Sequence, residues 1–410
     1  MVKKEDFNEH DINGWKAVLK HEIKERWKNV TPSTIRKVTN YMKNNELSLI
    51  DGGVLKQFED EFANYIGAKY AVAYCNGTAA LHAASYACGA DDDSIFISSI
   101  YSYHGTILSI LENRAKVRLV DYEDDYFTID LNEVEKNLDK NVKGLLITHC
   151  WGNIADYEKL MELKRKYNIK IIVDASHAHG AKFNNIKVGN ISCEDVVCFS
   201  LGKNKLMSAG ELGVAVTNDK DLYEKMLFMG HPNRVPSALS KDSKLRYYSN
   251  GIGNKYRPHA LALVLGIDQI KRFNKKLKDN VLICEKLSNE INNIDGFYVP
   301  KVHKNCSRVF WKLHVFIDKK YWKDVPVEKV IKAIRAEGLI LEQFHNYNIV
   351  EQLKIWTNKR YDNQIENRSK TRNIDNVIVL PGYINISKKD YEKIVKVFKK
   401  VSKMKGLIKW

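Results

Sequence analysis

No stretch of this 410-residue chain is apolar and long enough to cross a bilayer. Its first residues, Met1-Val2-Lys3-Lys4-Glu5-Asp6, are polar and lack a secretory core. The seven cysteines are scattered without a Cys-x-x-Cys pair, and cysteine and histidine fall at no metal-finger spacing. Repeats and low-complexity tracts are absent as well. These absences argue against a membrane span, a secreted disulfide scaffold and a bound metal, and they set the expectation of a reduced, cytoplasmic compartment.

What is present is a chain with 44% hydrophobic residues, enough to bury a large core in two domains. Up to about residue 220, β-rich runs alternate with helical patterns, as in 156–166 followed by Ile171-Ile172-Val173-Asp174. That alternation predicts an α/β architecture with a mostly parallel sheet covered by helices. A long amphipathic pattern over 259–287 then bridges to a smaller α/β unit with strands near 298 and 308–317 and helices over 327–337 and 388–401. The expected division is a large domain over 1–285, with an N-terminal helical segment, and a small one over 286–410.

The most informative segment is Phe199-Ser200-Leu201-Gly202-Lys203-Asn204-Lys205-Leu206-Met207-Ser208-Ala209-Gly210-Glu211-Leu212-Gly213, between the apolar runs 195–199 and 214–217. It reads as strand, loop, strand. An unpaired ammonium between buried strands loses hydration, and the same burial turns its amine into a nucleophile toward carbonyls. A serine five residues ahead of Lys205 is placed to bind a phosphate oxygen. Together they suggest a Schiff-base lysine beside anchored pyridoxal phosphate.

Two further segments fit that reading. Asp174 ends a β-branched run, where open α/β sheets bind ligands and where an acid would keep a pyridine nitrogen protonated. Taken alone, it reads as a strand-end cap or metal ligand. Asn76-Gly77-Thr78-Ala79 joins the run Tyr70-Ala71-Val72-Ala73-Tyr74 to a helical pattern, giving a phosphate free N–H groups and close backbone approach. An ordinary N-cap looks the same.

These three segments, in this order, resemble the DegT/DnrJ/StrS family of sugar aminotransferases, whose architecture is fold type I, like aspartate aminotransferase. Similar motifs run from Leu49 to Tyr383: the glycine-containing stretch 49–59, His149-Cys150-Trp151-Gly152-Asn153-Ile154-Ala155-Asp156, Gly253-Asn254-Lys255-Tyr256-Arg257 and Leu380-Pro381-Gly382-Tyr383. The resemblance implies that Lys205 carries the cofactor, Ser200, Gly77 and Thr78 hold its phosphate, and Asp174 faces the pyridine nitrogen. It also implies that Tyr103 stacks on the ring; the alternative is a core tyrosine.

Four departures from the family pattern concern substrate more than cofactor. Lys255 stands where an asparagine reaches the neighbouring subunit's cofactor phosphate, so an ammonium would serve there, with Asn254 as the alternative. His177 replaces a glutamine near the phenolic oxygen and is expected to donate the same hydrogen bond and to titrate near neutrality. Glu211-Leu212-Gly213 replaces Glu-Gly-Gly, which would bring an added side chain near the site, and Ser98-Ser99 replaces a common proline. A histidine at the lysine position marks the family's sugar dehydratases, so Lys205 favours transamination, with Lys203 a solvated or substrate-facing cation.

The implied enzyme is a pyridoxal-phosphate aminotransferase that aminates a keto-sugar, expected to be nucleotide-linked, or a cyclic keto-polyol, with glutamate or glutamine as donor. A dehydratase and a non-catalytic pyridoxal-phosphate-binding regulator are the alternatives. Arg257 and His345 are candidates for substrate carboxylate or phosphate, and the segments 229–250 and 342–354 for its site. A net charge of +16 and a pI near 9.2 suit an anionic partner. Runs such as Lys271-Arg272, Lys275-Lys276 and Lys399-Lys400 read instead as lysine-rich surface. The expected partners are therefore small molecules and a second copy in a homodimer with shared sites, not nucleic acid or a membrane.

Overall fold

Apolar residues line both faces of most central strands, so the sheet they form must be covered on both sides. The computed structural model describes residues 17–20, 22–23, 27–45, 47, 53–231, 234, 251–342, 374 and 376–406. Seven strands form the main sheet: β1 (Tyr70–Tyr74), β2 (Ile95–Ser99), β3 (Lys116–Val120), β4 (Val142–Thr148), β5 (Lys170–Asp174), β8 (Val196–Ser200) and β9 (Gly213–Thr217). Their order is β1-β9-β8-β5-β4-β2-β3, and β9 alone runs against the others. This is the mostly parallel, helix-covered sheet of fold type I.

Ile171, Val173, Leu145 and Ile147 face one core, packed by helices α2 (Gly53–Ile66), α6 (Tyr157–Tyr167) and α8 (Ala260–Asn292). Ile172, Leu146 and Val196 face the other, under α3 (Gly77–Ala87), α4 (His104–Leu111) and α7 (Lys220–Phe228). Local chemistry sets the helix starts. Asn76 Oδ1 accepts from Ala79 N to cap α3, and Asp156 and Asp219 cap α6 and α7 in the same way. The alanines of α3 (79, 80, 83, 84) let its backbone approach the sheet. Helix α1 (Pro32–Lys43) has a Thr31/Thr34 capping box and is tied to α8 where Thr34 and Lys37 donate to the buried Asp268.

A small three-stranded antiparallel sheet, β10 (Phe297–Tyr298), β12 (Lys312–Ile317) and β13 (Val377–Pro381), packs with α9 (Val327–Ala336) and α10 (Lys388–Lys403) in a third core. Here the motif residues Leu380 and Pro381 end strand β13. Cys284, Leu287 and Ile291 at the end of α8 belong to this third core, so position 285/286 falls inside a continuous helix. Leu19 also packs there, and its N–H donates to the Glu337 carbonyl. A minor sheet of β6 (Lys182–Phe183), β7 (Ile186–Lys187) and β11 (Cys306–Ser307) links the two units. The short α5 (Leu131–Lys136) completes the regular elements used here. Among the described residues no helix is long and apolar enough to cross a membrane, and no cluster of three or more His, Cys, Asp or Glu is arranged to hold a metal.

Candidate active site

The carboxyl ends of β5 and β8 and the turn after β1 open into a cavity of about 490 Å³. Asn76, Gly77, Thr78, Tyr103, Asp174, His177, Ser200, Lys205 and Glu211 all line it. The sheet brings together what the sequence separates. Gly213 pairs with Ser200 on one side and with Tyr74 on the other, so the serine turn and the glycine turn meet. A Cβ on Gly77 would lie 2.8 Å from the Ser200 Cβ, and one on Gly213 would run into the Asn76 carbonyl. Glycine is required at both because backbone approaches backbone. The N-terminus of α3, at Gly77 and Thr78, lies against Ser200 at the cavity wall, a candidate cradle for an anion.

Asp174 is buried, and both its oxygens are fixed. Thr106 Oγ1 donates to Oδ2 at 2.7 Å and Ser176 N donates to Oδ1 at 3.0 Å. This holds a carboxylate at the back of the cavity. The Lys205 amine is pushed down to about 8 by burial, against the opposing pull of Asp174 and Glu211. It lies 4.8 Å from the centroid of the Trp311 ring. Lys203 is exposed at the cavity rim.

Tyr103 is 44% exposed and lines the cavity, so it is not a core residue. His177 accepts a hydrogen bond at Nδ1 from Trp151 N (3.3 Å), which leaves Nε2 as the protonated nitrogen, and its ring stacks on Trp311. Burial, then the Lys205 charge, holds its pKa well below the usual histidine range. The expectation that His177 titrates near neutrality is therefore corrected: it stays neutral. Leu212 is corrected too. It lies fully buried in the first core cluster while Glu211 faces the cavity, so no extra side chain is added there.

Lys255 is exposed and outside this cavity, as is half-buried Arg257, and Asn254 donates to the Tyr256 hydroxyl of its own chain. His345 lies outside the described residues, as does most of 229–250 and 342–354. Sequence reasoning missed Thr106, Trp151 and Trp311. Thr106 lies three residues after Tyr103 but acquires its role only when α4 brings its hydroxyl to the end of β5. The lone Trp311 has no local motif.

A phosphate cradle, a carboxylate at the far wall and a lysine amine between them match the three groups of pyridoxal phosphate, and that is the cofactor of this protein. The comparisons agree. A GDP-perosamine synthase of Caulobacter vibrioides is 29% identical over 293 residues, covering 70% of this chain and 75% of that protein. The UDP-4-amino-4,6-dideoxy-N-acetyl-beta-L-altrosamine transaminase of Campylobacter jejuni is 28% identical over 310 residues, 74% of this chain and 80% of that one. In fold, the chain is similar to an E. coli GDP-4-keto-6-deoxy-D-mannose-3-dehydratase with bound hydrated pyridoxal phosphate (TM-score 0.78, 17% identity, 92% and 100% covered). The model of the DegT/DnrJ/EryC1/StrS aminotransferase family matches residues 29–399, and the chain belongs to that family.

Proposed function

We propose that this aminotransferase moves an amino group from glutamate or glutamine to the carbonyl carbon of a nucleotide-linked keto-sugar, with Lys205 as its catalytic amine. The observation that carries the reading is the placement of half-buried Lys205 in one cavity with a fixed carboxylate and an anion cradle, where desolvation lowers the amine's pKa to about 8. The similarity to nucleotide-sugar transaminases supports the substrate class. A cyclic keto-polyol presents the same secondary carbonyl and stays within the reading.

Bound pyridoxal phosphate supplies an aldehyde that takes up the amino group and a ring that accepts the electron pair left at carbon. Gly77, Thr78 and Ser200 would hold the phosphate, and Asp174, held by Thr106, would keep the ring nitrogen protonated. Tyr103 would cover the ring, and His177 would donate from Nε2 to its phenolic oxygen. Lys205 would take a proton from the donor's α-carbon in one half of the cycle and deliver one to the carbon being aminated in the other; an amine with a pKa of about 8 can serve as base and as acid. Lys203 at the rim favours an anionic substrate. A lysine at position 205 disfavours the dehydratase reading, in which that residue is histidine.

The working unit in this reading is a cytoplasmic homodimer. Exposed Lys255, outside its own cavity, is available to reach the partner's cofactor phosphate. The test is spectroscopic. The visible band of the purified protein is fixed by borohydride and mapped to Lys205, then glutamate or glutamine converts unreduced protein to the pyridoxamine form. Nucleotide-linked keto-sugars and inososes are screened for reversal. A band that neither donor converts sinks the aminotransferase reading in favour of a regulator.

A further inference from the structure

Trp311 immediately precedes β12 of the small unit, yet its contacts reach across to the lysine loop. The indole Nε1–H donates to the Asn204 carbonyl at 2.8 Å, which is the peptide entering Lys205. Its ring is parallel to that of His177, with centroids 3.8 Å apart and planes at 4°. The Lys205 amine lies over the same ring. On the other side of Lys205, the Leu206 carbonyl accepts from the buried Lys276 Nζ at 2.6 Å. The carbonyls of residues 204 and 206 are thus both held by side chains, and the Trp311 brace also lies against the amine.

A lysine side chain has four rotatable bonds, and an amine that must meet a carbonyl at one angle gains from losing that freedom beforehand. An aromatic face attracts an ammonium without offering it a proton acceptor, so the group is held but not neutralised. We propose that Trp311 is a positioning residue for Lys205: it holds the free amine over the indole face and fixes the Asn204–Lys205 peptide, so that the amine is aimed before the cofactor arrives. The proposal rests on Lys205 being the lysine that joins the cofactor.

The test uses cofactor-free protein with Trp311→Phe, which keeps a ring but loses the N–H donor, and Trp311→Leu, which loses both. Two ligands are compared. Pyridoxal phosphate condenses with the Lys205 amine with loss of water, read as the rate of appearance of the absorbance band and confirmed by borohydride and peptide mapping. Pyridoxine 5′-phosphate lacks the aldehyde and reports binding alone. Trp311→Leu is expected to slow condensation roughly tenfold or more and Trp311→Phe about threefold. Pyridoxine phosphate affinity is expected to stay within about twofold in both. Equal losses for the two ligands would make Trp311 a general support of the cavity and overturn the proposal, as would unchanged condensation rates. Should Trp311→Leu fail to fold, the Phe variant decides alone. If the unsubstituted protein forms its adduct at another lysine, both the Lys205 assignment and this proposal fall; an adduct at Lys205 with unaltered variant rates removes only the role of Trp311.

Discussion

The floor of the cavity is fixed by sheet register, whereas its roof is assembled from irregular segments. Thr148, Asp174 and Ser200 end adjacent parallel strands, and their spacing follows from the pairings Thr148↔Asp174 and Asp174↔Cys198. Trp151, by contrast, sits in a short helical turn at a positive φ of 58°, and Trp311 enters from the small unit. Trp151 stacks on His314 with ring centroids 3.6 Å apart, as His177 stacks on Trp311, so two ring pairs join the large unit to the small one. The groups proposed to bind the cofactor lie on the rigid side, and those that shape access lie on the side that depends on tertiary contact.

Substitutions on the floor should therefore remove chemistry. Lys205→Ala is expected to leave no transamination above background while circular dichroism stays unchanged, since no other lysine has its geometry. Near wild-type turnover in that variant would refute the assignment. Asp174→Asn should lower single-turnover rates at saturating cofactor by roughly 10²–10³, the scale for losing a preorganised charge partner. Thr106→Val should reproduce a fraction of that loss, because the carboxylate stays but one hydrogen bond goes; a Thr106 effect equal to that of Asp174→Asn would contradict this order.

Thr78→Ala removes one of the proposed phosphate contacts and should weaken cofactor binding by about 1.5–3 kcal/mol, measured by titration. Lys255→Ala tests whether the floor is complete within one chain. Mixed with Lys205→Ala at limiting cofactor, it should give hybrid dimers with one intact site and activity above either parent. No recovery despite proven subunit exchange would return Lys255 to its own chain's surface. The smallest effect is one of pH. Because the neutral amine is the nucleophile and its pKa is lowered to about 8, cofactor loading should rise about fivefold between pH 7 and 8 and then flatten. A rise continuing toward pH 10 would show an unburied lysine.

The floor was legible because each part is local. Asp174 ends an apolar run, and Ser200 and Lys205 are separated by a fixed number of residues in one loop. The roof was not legible, because nothing around Trp311 in the chain signals a partner at 204 or 177. Two expectations failed for a physical reason that composition does not carry. Burial beside an ammonium suppresses titration of His177, and the chain approaching β9 turns Leu212 inward. The strand at 377–381 went unread because only its end, Leu380-Pro381, carries a motif, and proline is rare inside strands.

The reversal of β9 has a consequence for how this protein can change. Because β8 and β9 run in opposite directions, the loop carrying Lys205 is a hairpin closed at Ser200↔Gly213 and not a crossover carrying its own helix. Its twelve intervening residues, 201–212, are held at both ends by a register that β1 shares through Tyr74↔Gly213. Loops of most enzymes absorb insertions at little cost, but here one added residue must either move Lys205 out of reach or shift β9 by one position and invert its faces. Length variation in this protein is therefore expected at the rim and in the small unit, while the segment from Ser200 to Gly213 keeps its count even where its side chains are replaced.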